Sequence, residues 1–191
     1  MNQSHPAGDR LGLLIIDMIN DLEFDGAPAI LDQAEAASHK ILDLKRAARE
    51  AGAPVIYVND NFGRWSDDRR QITAWASRPG ARGAAITRRL APDDDDIFVI
   101  KPQQSGFYGT NLQVLLPSLE TTRLILVGMA ADLCVLFTAA DAHMRQYRLF
   151  TPGDCLVPSK PDRLTSALEI LRDGLDADVR PSGEQITELW R

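Results

Sequence analysis

Three side chains in this chain have the types and the placement to do chemistry together. Asp17 closes the apolar run LGLLIID at 11 to 17, and Lys101 closes DDDDIFVIK at 93 to 101. Cys134 sits in GMAADLCVLFTAADAHMRQY at 128 to 147, directly after the branched run LILV at 124 to 127. An acid, an amine and a thiol at one edge would supply a nucleophile, its base and electrostatic support. A helix N-terminus and a neighbouring cation both favour thiolate, so a Cys134 pKa below the free value of roughly 8.5 is expected. Each residue also has a plain structural reading. An aspartate after a strand caps a turn, a lysine at a strand end is solvated, and a free cysteine packs as a small hydrophobe. Cys155, in PGDCLVP, fits the packing reading; no helix start or charge partner is evident beside it.

Bringing three residues so far apart in sequence to one place requires elements of a definite order. LGLLIID has the continuous apolar pattern of a strand buried on both faces. Residues 29 to 51 have helical spacing, with Ile30, Ala34, Ala37, Ile41, Leu44 and Ala48 on one side; Gly52 and Pro54 then stop the helix. APVIYVND reads as a second strand, 66 to 90 as two short helices split at Arg78-Pro79-Gly80, and 93 to 101 as an acidic turn with a third strand. Leu112, Leu115, Leu116 and Leu119 suggest a short helix limited by Pro117. RLILVG is a fourth strand, 131 to 146 a helix, YRLFTPGD a fifth strand with its turn, 161 to 173 a helix and ADVRP a weak sixth strand. Alternating strands and helices specify an α/β fold: an open, mostly parallel six-stranded sheet with helices on both faces. In such sheets ligands bind outside the carboxyl ends of the strands, where Asp17, Lys101 and Cys134 all fall.

The composition is that of a soluble globular chain. At 191 residues, with 45% apolar and 25% charged residues, one domain over 1 to 191 is expected, residues 1 to 10 forming a flexible tail. The formal charge of −6 and the scattered basic residues argue against nucleic acid as a partner. No apolar run approaches the roughly 20 residues of a membrane span. The opening MNQSHPAGDR lacks the pattern of an export signal, and two cysteines make no disulfide framework, so a cytoplasmic location with reduced thiols is expected. A nucleotide-binding domain would carry G-x-G-x-x-G after its first strand, where this chain has DMINDLEFDG.

On these residues the chain resembles the isochorismatase-like cysteine hydrolases, a group that includes nicotinamidases and N-carbamoylsarcosine amidase. The resemblance runs from about residue 11 to residue 155. LLIIDMINDL resembles the family's opening strand with its catalytic acid, placing Asp17. KPQQSGFYGTNL resembles the lysine segment, placing Lys101, and GMAADLCVLFTAADAHMRQY resembles the nucleophile segment, placing Cys134. The resemblance further implies a non-proline cis peptide joining Met129 to Ala130, and an oxyanion hole made of the Ala130 and Cys134 backbone N–H groups. It implies hydrolysis of a small-molecule amide through a thioester, and a homo-oligomer, dimer or tetramer.

The chain departs from nicotinamidases after the second strand, where they carry a metal site of an Asp and several His. Here the segment reads YVNDNFGRWSDD, and the three histidines are at 5, 39 and 143. Asp60 alone is a poor site for zinc or iron, so no metal and no cofactor are expected. Family members that cleave a vinyl ether do so without the cysteine, so a C–N bond is the better match to Cys134. Two readings stay beside it: a vinyl-ether hydrolase, and a silent family member acting as a binding or assembly protein. Asn59, Asp60, Asn61 and Trp65 either line the substrate pocket or form a turn with a core tryptophan. Of the further pocket candidates, Phe107 suits packing better, and Tyr108 suits either role.

Overall fold

Branched apolar residues on a twisted ribbon must be covered on both sides, and helices on each face of a parallel sheet do this. The computed structural model describes residues 10 to 189 of the chain. The strands are β1 (Arg10–Ile16), β2 (Val55–Asn59), β3 (Ile97–Ile100), β4 (Thr121–Met129), β5 (Arg148–Phe150) and β6 (Leu156–Val157). The helices are α1 (Ala27–Glu50), α2 (Arg69–Ala76), α3 (Ala84–Arg89), α4 (Leu112–Ser118), α5 (Leu136–Met144), α6 (Leu164–Glu169) and α7 (Ser182–Leu189). The sheet is six-stranded in the order β3-β2-β1-β4-β5, with β6 pairing β4, and every pair is parallel.

The period of two along β1 divides the interior into two cores. Leu13 and Ile15 face the core that receives Ile30, Ile41 and Leu44 of α1 and Ile72 of α2. Leu14 and Ile16 face the other, with Leu112 and Leu116 of α4, Ala139 of α5 and Ala167 of α6. All of β1 except Arg10 is buried, as its uninterrupted apolar sequence requires. Gly26, at φ 87°, turns the chain into α1, and Gly52, at φ 67°, follows its end. Asp68 and Gln71 form a capping box that starts α2.

The order matters for the site. Strands leave β1 toward β2 and β3 on one side, and the chain then returns to place β4 on the other. The crevice between the carboxyl ends of β1 and β4 is therefore the point where winding reverses, the place such sheets bind ligands.

Several expectations need correction. The sixth strand is not ADVRP but the two-residue β6, and ADVRP contributes one bridge, Asp178 to Phe150. Arg10 opens β1, while the remainder of the expected tail lies outside the described residues. The helix expected over 131 to 146 begins as a π-turn, Ala131–Val135, before α5. That expected over 161 to 173 is a 3₁₀ turn, α6 and a second π-turn, Ile170–Gly174.

Candidate active site

The three reactive residues reach one crevice because each ends or follows a neighbouring strand. Asp17 is the first residue after β1, at φ 53°, and its N–H donates to the Val58 carbonyl at 3.1 Å. Its Oδ1 accepts the Asp60 N–H at 2.7 Å, which pins the carboxylate against the end of β2. Lys101 directly follows β3, held by its N–H to the Asn59 carbonyl at 3.0 Å. The Lys101 Nζ lies 2.8 Å from Asp17 Oδ2, 3.4 Å from Cys134 Sγ and 3.2 Å from the Gln103 carbonyl. The Cys134 thiol hydrogen-bonds Asp17, so acid, amine and sulfur touch one another in pairs.

Cys134 itself is set by the passage from β4 into the π-turn. Gly128 adopts φ 114°, and a Cβ there would lie 2.1 Å from the Ile16 carbonyl oxygen. Only glycine lets β4 approach β1 so closely at the crevice. The Met129–Ala130 peptide is cis, and the Leu133 and Val135 N–H groups both donate to the Ala130 carbonyl. Thr138, fully buried, ties the nucleophile turn to the lysine segment: its Oγ1 donates to the Cys134 carbonyl at 2.6 Å and accepts the Gly106 N–H at 2.9 Å.

Burial dominates the electrostatics. It raises the Asp17 carboxyl above its ordinary value, although Lys101 and the Cys134 thiol pull the other way. Burial works to lower Lys101, but Asp17 and Cys134 outweigh it and leave the ammonium above its ordinary value. The thiol is pushed up to about 12, first by burial and then by the Asp17 carboxylate, against the opposing pull of Lys101. The expectation of a depressed cysteine is thereby overturned. The helix-end argument neglected the carboxylate that shares the site. At neutral pH the thiol is therefore protonated, held between Asp17 and Lys101. Cys155 is fully buried and also raised by burial, in keeping with packing.

A cavity of about 360 Å³ opens over these groups, lined by Asp17, Lys101 and Cys134 together with Met129 and Ala130. Of the six pocket candidates only Asp60 lines it. Asn59 is wholly buried and serves structure: its Oδ1 accepts the Ile19 N–H and its Nδ2 donates to the Ile19 and Asp60 carbonyls. Asn61 is buried beneath the turn, accepting the Gly63 N–H. Phe107 packs against Tyr147 in the core, while Trp65 and Tyr108 are 68% and 64% exposed and outside the cavity. The walls come instead from Asn20, Phe24 and Asp25 after β1, Phe62 after β2, Leu133, and Pro158, Ser159 and Lys160 after β6. The β1 loop was open to prediction from Asp17 alone, whereas β6 is too short to leave a periodic signal. Among the described residues no group of three or more His, Cys, Asp or Glu is placed to hold a metal ion.

A parallel-sheet domain with an acid, a lysine and a cysteine at its switch point has counterparts among known proteins. The isochorismatase domain model matches residues 12 to 180. The isochorismatase family protein YaaI of Bacillus subtilis is 39% identical over 176 residues, covering 92% of this chain and 96% of that one. N-carbamoylsarcosine amidase of an Arthrobacter species is 28% identical, with 78% of this chain matched to 60% of that protein. The crystal structure of N-carbamoylsarcosine amidase from Thermoplasma acidophilum superposes with a TM-score of 0.69 at 28% identity, covering 91% of this chain and 96% of that one. The chain belongs to the isochorismatase family of hydrolases.

Proposed function

We propose that the protein is a cysteine-dependent hydrolase of a small amide-type substrate, working through a thioester on Cys134. The observation that carries this reading is the single contact set of Lys101, whose Nζ is 2.8 Å from Asp17 and 3.4 Å from the Cys134 sulfur. Membership of a family with amidases among its relatives supports the C–N bond as the one cleaved.

The steps follow from the proton inventory. Asp17 takes the thiol proton as sulfur attacks the carbonyl carbon, and Lys101 balances the negative charge left on sulfur. The Ala130 and Cys134 N–H groups hold the developing oxyanion. The C–N bond then breaks, and Asp17 returns its proton to the departing nitrogen. Water next gives a proton to Asp17 and its oxygen to the thioester carbon; the C–S bond breaks, and Asp17 reprotonates the sulfur. A raised Asp17 suits this double duty, because a more basic carboxylate takes a thiol proton more readily.

This chemistry needs a reduced thiol and a dissolved substrate, which fits the cytoplasm. Among the described residues no helix is long and apolar enough to cross a membrane. We further propose self-association as a dimer or tetramer, supported by Phe137 and Met144, which α5 leaves 52% and 71% exposed. The test of the catalytic reading is Cys134→Ala, which should abolish ammonia release from a responsive amide while leaving the circular dichroism spectrum intact. Undiminished turnover in that variant refutes it.

A further inference from the structure

A lysine ammonium has three N–H donors, and that of Lys101 meets Asp17 Oδ2, Cys134 Sγ and the Gln103 carbonyl. Asp17 arrives from β1 and is pinned by its own bonds to the end of β2. The other two acceptors belong to the turn that opens α5 and to the loop after β3, and one face of α5 grips both. Cys134, Thr138, Asp141 and Arg145 follow one another at the spacing of a helix face.

Thr138 Oγ1 donates to the Cys134 carbonyl at 2.6 Å and accepts the Gly106 N–H at 2.9 Å. One turn on, Asp141 Oδ2 accepts the Ser105 hydroxyl at 2.5 Å, and that hydroxyl accepts the Phe107 N–H at 3.1 Å. Arg145 donates to the other Asp141 oxygen at 2.7 Å and lies 4.7 Å from the centre of the Phe107 ring. Gly106 fits beneath the helix because it has no side chain: a Cβ there would lie 2.7 Å from Val58 Cγ1 and 3.4 Å from Thr138 Cγ2. Neither Thr138 nor Asp141 lines the cavity, so their effect on the reaction runs through the groups they hold. A threonine hydroxyl bonded to the carbonyl four residues back is common packing in helices. Here the same oxygen also takes a donor from the loop whose Gln103 carbonyl meets the ammonium, and a second clamp lies one turn along.

Resting on the proposed hydrolysis, we infer that Thr138 and Asp141 are positioning residues: they clamp the loop of residues 103 to 107 onto α5 and so hold the Lys101 ammonium against the Cys134 sulfur.

Thr138→Val keeps the shape of the side chain and removes the hydroxyl. Because Lys101 favours the thiolate, iodoacetamide should label Cys134 about three- to tenfold more slowly at pH 7 in this variant. On a responsive amide, kcat should fall about 10- to 100-fold with KM unchanged. Thr138→Ser restores the hydroxyl and should return both readouts to near the wild-type values. Asp141→Ala should move both in the same direction as Thr138→Val, and it takes the place of that variant if the latter does not fold. A merely structural role lowers the urea midpoint but leaves labelling and kcat of the folded enzyme where they were. That result in either variant, or a Thr138→Ser enzyme as impaired as Thr138→Val, overturns the inference. Labelling needs no turnover, so it reads the clamp even if Cys134→Ala keeps full activity, an outcome that refutes the hydrolase reading alone.

Discussion

At the scale of single residues, the carboxylate and the ammonium act on the thiol in opposite directions. Asp17 raises Cys134 through its charge and its hydrogen bond, whereas Lys101 lowers it. Replacing Asp17 by Asn therefore removes an upward influence and leaves the downward one. The expected outcome is a pair of opposite changes: turnover falls by about 10²- to 10⁴-fold, because the base is gone. Meanwhile iodoacetamide labels Cys134 faster at pH 7 than in the wild type, and its labelling midpoint moves below the value of about 12. Mass spectrometry of the labelled peptide over a pH series reads both sites, with Cys155 as the buried reference. Labelling slowed by Asp17→Asn would contradict the arrangement. The identity of these residues was legible in the sequence because each stands at the end of an apolar run. The protonation state was not, because it depends on burial and on a partner more than 100 positions away in the chain.

At the scale of elements, two devices position the site, and each makes its own prediction. Gly128 lets β4 pass β1 with a Cβ position 2.1 Å from the Ile16 carbonyl oxygen and with φ at 114°. Gly128→Ala should cost at least about 1–3 kcal/mol from strained backbone alone, read as a lower urea midpoint with an unchanged slope. A midpoint within error of wild type would contradict the close approach. The second device is Asp132, which fastens the wall after β6 through Ser159 and Arg163. Burial works to raise its carboxyl, but the Ser159 hydrogen bonds and Arg163 hold it below the ordinary value of 3.8. A carboxylate depressed by folding lends stability that is complete above its unfolded pKa and is lost as pH falls through the lower folded value. Asp132→Asn should therefore destabilise most near neutrality, and the gap in urea midpoint from wild type should close as the pH drops below 3.8. A gap independent of pH would contradict this. Long elements were legible here: β1 and α1 announce themselves through seven and 24 residues of regular pattern. β6, two residues long, and the π-turns leave no period to read, so the wall that carries Ser159 and Lys160 was missed.

At the scale of the whole molecule, one strand order accounts for both the stability and the site. β1 buries alternate residues in two separate cores and ends at the winding reversal, so the best-packed strand also delivers the acid. All the pocket candidates except Asp60 lie off the cavity, for a related reason. In NDNFGRW, Asn59 is consumed by backbone partners, Asn61 is buried with its Oδ1 on the Gly63 N–H, and Trp65 faces solvent. Which loop residues turn inward is a property of the assembled edge and not of any one segment. The most direct test of the account is to mix enzyme with an excess of a responsive primary amide, quench in acid and weigh the intact protein. A transient mass increase equal to the acyl fragment on Cys134, with ammonia released as it forms and with neither seen in Cys134→Ala, is the predicted result. Ammonia released at an undiminished rate by Cys134→Ala would contradict it.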